Sequence, residues 1–134
     1  MFAESLGAVV VSAYLPTSGY APAQCGLPPI IYIPNQHGPL KTIWELAHEI
    51  GHLCKHSGFK NKLFWSKDEA QADRWAACAL IPRARIDHHE NASIDGFMAA
   101  LSANYEPLPP HNCEVRDLAH QIAKIRIDAL EQGN

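Results

Sequence analysis

His48 and His52 stand four positions apart with a carboxylate directly after the first of them, in the run His48-Glu49-Ile50-Gly51-His52. On an α-helix that separation is a rotation of about 40° and a rise of about 6 Å, so both imidazoles can reach one ion. Glu49 projects from the neighbouring part of the same face, where a carboxylate can take a proton from a water attacking beside the ion. The pattern therefore implies zinc-assisted hydrolysis and not merely binding. Three fixed positions in five also recur by chance, and histidine pairs occur on ordinary helix surfaces, so the meaning rests on the element that carries them. Ile43, Trp44, Ala47, Ile50, Leu53 and Cys54 recur at helical spacing and predict an amphipathic helix over residues 42–55.

A hydrolytic zinc site takes three protein ligands and keeps one position open. His56 continues the four-residue series, but it lies about 12 Å beyond His48 on a straight helix, too far for all three histidines to share an ion. Glu69 is better placed. It opens a second helical run that continues to Ile81 and stops at Pro82, and the intervening segment contains Gly58 and Asn61, which suit a chain reversal. Asp73 falls one turn after Glu69, where its carboxylate can accept the outer N–H of a ligating histidine and fix its tautomer. Acids near a helix N-terminus are also favoured by the helix dipole alone. The small residues Ala70, Ala72, Ala76, Ala77 and Ala79 suit close packing of this helix against the first, which favours the ligand reading.

These segments resemble the ImmA/IrrE metallopeptidases. The likeness rests on His48-Glu49-Ile50-Gly51-His52-Leu53 with a following His56, and on Glu69 with Ala72-Asp73-Arg74-Trp75-Ala76-Ala77 running to Leu80-Ile81-Pro82. Ile30-Ile31-Tyr32-Ile33 followed by Asn35 resembles the family's strand entering the active-site helix, so the likeness covers residues 29–82. It implies a gluzincin-like site in which Glu69 joins His48 and His52 as the third Zn²⁺ ligand. It also implies a protein substrate, a helix-turn-helix repressor of a prophage, mobile element or stress regulon. Trp75 stands where phenylalanine is usual, Ile81 where methionine is common, and Lys41-Thr42-Ile43-Trp44 where an arginine and a phenylalanine often precede the helix. These departures alter packing and leave the chemistry intact. The family's N-terminal helix, a helix-turn-helix and a large sensor region are not evident, which argues against DNA regulation by this chain itself. A zinc-stabilised module that sequesters a regulator without cutting it is the alternative; it needs the ligands but not Glu49.

A chain of 134 residues with 47% apolar content can bury a core without disulfides, and one domain over 1–134 is expected. The net charge of −3, with acids and bases interspersed, gives no basic field for nucleic acid. Cys25, Cys54, Cys78 and Cys113 form no CxxC pair; Cys54 and Cys78 fall in predicted buried helices, where a thiol packs as a small hydrophobe. With no export signal evident, this pattern predicts a cytoplasmic protein. The valine-rich stretch at 7–15 is too short to span a bilayer and lacks a basic flank, so it reads as a strand.

Further strands are expected at 20–24, weakened by Pro22, and at 30–33, giving a small antiparallel sheet beside a zincin-like pair of active-site helices. Its exposed edge could pair with an extended substrate segment. Ser93 and Asn112 are candidate caps for two C-terminal helices, with Ile94, Phe97, Met98 and Leu101 inward on one. Val115, Leu118, Ala119, Ile122, Ile125 and Leu130 form an apolar stripe on the other. The fold class is thus α+β. A developing oxyanion needs a further donor; His111, Tyr20, Tyr32, Tyr105, His37, His88 and His89 are possible donors that the sequence does not rank, and most of them read as surface or packing residues.

Overall fold

In a computed structural model that describes residues 7–55, 65–86, 92–110 and 113–134, the chain forms strands β1 (Val9–Ala13), β2 (Gly19–Ala21) and β3 (Ile30–Pro34) and helices α1 (Pro39–Lys55), α2 (Trp65–Leu80), α3 (Ile94–Asn104) and α4 (Glu114–Glu131). The α+β class agrees with the sequence expectation; the sheet differs from it. Its order is β1-β3-β2, with β3 parallel to β1 and antiparallel to β2, so the sheet is mixed and not wholly antiparallel. β3 takes the centre because it has the most strongly buried face, with Ile31 and Ile33 at 0% and 3% exposure. β2 ends just before Pro22, which has no N–H for a ladder, and stays short and at an edge. Local apolarity picks out strands without naming their neighbours: the chain leaves β1, passes to the far side of β3 as β2, and returns between the two.

α1 is clamped between two apolar clusters. Leu46 and Ile50 pack on Ile31 and Ile33 of the sheet, whereas Leu40, Trp44 and Ala47 join Ala76, Leu80, Phe97, Leu101 and Ile122 from the other helices. Two sides of one helix are thereby held, and the side between them is left for chemistry. α1 also begins three residues before the expected start at Thr42. Pro39 suits a first helical position, where an N–H has no intrahelical acceptor. The Leu40 N–H donates to Glu106 Oε1 at 3.0 Å, and a Cβ on Gly38 would stand 3.0 Å from that same oxygen. The capping carboxylate comes from just beyond the C-terminal end of α3.

α2 stops before Pro82, as expected, but starts at Trp65, ahead of Glu69. Its exit is tied to α4 by Arg126, fully buried, whose Nε donates to the Ile81 carbonyl at 2.7 Å. The predicted cap of α3 is present: Ser93 Oγ accepts from the Gly96 N–H at 3.0 Å, and Phe97, Met98 and Leu101 are buried. Cys113, not Asn112, occupies the N-cap of α4, its Sγ accepting from the Arg116 N–H at 3.4 Å. Asn112 lies outside the described residues, as do Gly58 and Asn61 of the expected reversal. On α4, Ala119 and Ile122 are fully buried and Val115, Leu118, Ile125 and Leu130 pack around them, the stripe its spacing predicts.

The cysteine expectation needs correction. Cys78 is half-buried but Cys54 is exposed, because it lies in the last turn of α1, where even the adjacent Leu53 is only half-buried. No described helix is long and apolar enough to cross a membrane.

Candidate metal centre

The middle of α1 faces the first half of α2 at close range. Gly51 allows the approach: a Cβ there would lie 3.1 Å from the Ala72 carbonyl oxygen and 3.3 Å from Trp75 Cβ. Ala72 and Ala76 are fully buried, so small side chains on both helices bring the backbones together. His48 and His52, one turn apart on α1, therefore meet Glu69 and Asp73, one turn apart on α2.

Donor groups of three residues converge. His48 Nε2 is 2.9 Å from Glu69 Oε2, His52 Nε2 is 3.1 Å from Glu69 Oε1, and the two Nε2 atoms are 3.1 Å apart. A tetrahedral ion with bonds of about 2.0 Å separates its ligands by about 3.3 Å, close to these separations. Behind it, His48 Nδ1 lies 2.7 Å from Asp73 Oδ1. When Nδ1–H donates to that carboxylate, Nε2 presents a lone pair, and a second electron-rich atom at 2.9 Å then calls for a cation between them. A proton can serve. Burial lowers the His48 pKa, yet the hydrogen bond and charge of Asp73, with the charges of Glu49 and Glu69, outweigh it and hold the imidazole above its usual value. A divalent metal serves the same three residues, and a set of two imidazole nitrogens and a carboxylate suits zinc.

Glu49 is 4% exposed, and its Oε1 accepts a hydrogen bond from Ser18 Oγ at 3.3 Å. Tyr20 stacks on the His52 ring, with centroids 5.1 Å apart and planes inclined by 16°. Burial, together with the charges of Glu49, Asp68 and Glu69, raises the Tyr20 pKa, so the phenol remains neutral. An open cleft of about 810 Å³ extends from His48 and Asp73 past Glu45 and Lys41 to Glu114 and Asp117 of the first turn of α4.

Of the other candidate donors, His37 lines the same cleft, Tyr32 is exposed on the sheet, and Tyr105 donates to the Leu80 carbonyl at 3.1 Å. His56, His88, His89 and His111 lie outside the described residues. Ser18 is the contact that sequence reasoning missed. Its place immediately before the strand that carries Tyr20 is the nearest signal to it along the chain.

Residues 3–106 match the IrrE N-terminal-like domain model of the M78 peptidases, while no curated protein and no solved structure gives a match. The matched region takes in the three strands, α1 to α3, and every residue of the centre, and leaves α4 outside. Extending over well more than half of the sequence, and agreeing with the family that the two helical motifs resemble, the match shows that this chain belongs to the IrrE N-terminal-like family of peptidases.

Proposed function

We propose that the protein is a zinc-dependent endopeptidase in which His48, His52 and Glu69 hold the ion, Asp73 orients His48, and Glu49 is the general base. The observation that carries this reading is the convergence of two imidazole nitrogens and a carboxylate oxygen from two helices, all within 4.8 Å of one another. A bound zinc would supply Lewis-acid polarisation of the scissile carbonyl and of a water. Glu49 accepts the proton of the attacking water and delivers it to the departing amine, in a setting where burial keeps bulk water from competing for it. Asp73 keeps the His48 proton on Nδ1.

The substrate in this reading is a helix-turn-helix repressor of a prophage, mobile element or stress regulon. Two supports meet here: the family resemblance, and the charge of the cleft. Glu45, Asp73, Glu114 and Asp117 line the cleft with Lys41 as the opposing cation. A segment rich in lysine and arginine, as DNA-binding surfaces are, complements that lining.

The test is incubation of the zinc-loaded protein with the repressor encoded beside it, wild type against Glu49→Gln. A new repressor fragment with the wild type alone is the expected result. Loss of repression by both proteins without any fragment would replace proteolysis with sequestration.

A further inference from the structure

The metal ligands and the candidate base all lie on helices, yet a third element reaches them from the sheet. Tyr20 lies in β2 and Ser18 immediately precedes that strand, while Glu49 and His52 are three apart on α1 and share a helix face. The pairs meet in register. Ser18 Oγ donates to Glu49 Oε1 at 3.3 Å, and the Tyr20 ring lies on the His52 ring at 5.1 Å and 16°. β2 is an edge strand fixed on its inner side by β3, with Tyr20 opposite the fully buried Ile31, so its contacts with α1 are anchored through the sheet core.

We propose that this edge strand and the residue leading into it position the metal centre, with Tyr20 holding the His52 imidazole plane and Ser18 holding the Glu49 carboxylate. The inference rests on the metal-peptidase reading given above. The last torsion of a histidine is broad and roughly two-fold, so backbone placement alone does not fix the ring. His52 Nε2 must point at His48 Nε2 and Glu69 Oε1, each 3.1 Å away, and rotation of the ring carries it off that line. The parallel Tyr20 ring covers one imidazole face and resists the rotation. This role needs the aromatic ring and not its hydroxyl, which separates Tyr20 from an oxyanion donor. At Ser18 the hydroxyl is what matters, since it restrains one carboxylate oxygen of a group that must accept a proton in a fixed direction.

The test measures Zn²⁺ affinity by competition with a chelator, and the visible absorption of the Co²⁺-substituted protein, for wild type, Tyr20→Phe and Tyr20→Leu. Tyr20→Leu is expected to hold zinc roughly 3- to 10-fold more weakly and to shift the cobalt bands, and Tyr20→Phe to match wild type in both. Ser18→Ala is expected to keep zinc affinity while kcat falls roughly 3- to 10-fold at unchanged KM, on a peptide that the wild type cleaves, with Ser18→Thr restoring it. Wild-type affinity and spectrum in Tyr20→Leu would overturn the positioning role while leaving the metal site standing. A lower kcat in Tyr20→Phe with zinc retained would overturn it in favour of a donor role for the hydroxyl. A wild-type protein that holds neither ion would overturn the metal reading itself, and this role with it.

Discussion

The contact of His48 Nδ1 with Asp73 leaves Nε2 turned toward Glu69, the space in which the proposed ion would sit. The carboxylates around His48 lift its pKa above 6.5 despite burial. A raised imidazole pKa stabilises the fold fully below the unfolded value, and that contribution is lost as pH rises through the folded value. The metal-free protein is therefore expected to lose this part of its stability as pH climbs above about 6.5. In the zinc-loaded protein the proton must leave before the ion can bind, so the stabilisation by zinc should grow over the same interval. Calorimetric melting in chelator and in zinc, across that range, should give slopes of opposite sign; parallel slopes would detach His48 from the metal. Asp73→Ala should weaken zinc affinity roughly 10- to 100-fold in chelator titration, with the fold kept. Wild-type affinity would leave Asp73 an ordinary helix acid. Glu49→Gln retains shape but cannot accept the proton, so zinc content should hold while cleavage drops by roughly 100-fold or more. Cleavage at the wild-type rate by a zinc-loaded Glu49→Gln would sink the base assignment.

Between elements, the centre depends on how near α1 and α2 approach. Replacing Gly51 by alanine improves helix propensity by about 1 kcal/mol, but crowding in a packed interface costs about 1–3 kcal/mol. Crowding wins here, because the atoms in the way are the backbone of the fully buried Ala72, which no rotamer change can move. The helices must part, and Glu69 recedes with α2. Gly51→Ala is expected to lower Tm by several degrees and to weaken zinc binding in the same protein; an unchanged Tm with full zinc affinity would show that the interface has slack. The start of α1 makes a similar point. Glu106 caps it from 66 residues away, so Glu106→Ala should cost about 1 kcal/mol, read as a lower denaturation midpoint with no change in zinc stoichiometry.

Taken as a whole molecule, the chain places the first turn of α4, outside the family match, along the wall of the cleft that leads to His48. Glu114 and Asp117 suit a helix N-terminus on dipole grounds, and they also give the cleft its outer negative charge. Reversing both to lysine is expected to raise KM for a basic peptide roughly 10-fold at low salt and to leave a neutral peptide nearly unaffected. The difference should shrink at higher ionic strength, as exposed charges are screened. Because the reversal also opposes the helix dipole, the glutamine pair is the stability control. Equal KM values for the two peptides in wild type and variant would show that the cleft does not select by charge.

What could be read along the chain was whatever a short period expresses. His48, Glu49 and His52 fall on one helix face by spacing alone, and Glu69 with Asp73 share a face for the same reason. The Ser93 cap and the stripe through Ala119 and Ile122 are equally local, and each has its counterpart in the structure. The early start of α1, the central place of β3 and the buried Arg126 all depend on partners remote in sequence. So do the contacts of Ser18 and Tyr20 with Glu49 and His52. Periodicity reports which side of an element is apolar because side-chain direction repeats along one backbone; it carries no information on which other backbone meets that side. Tertiary packing alone decided that an edge strand, and not only a second helix, lies against the candidate metal centre.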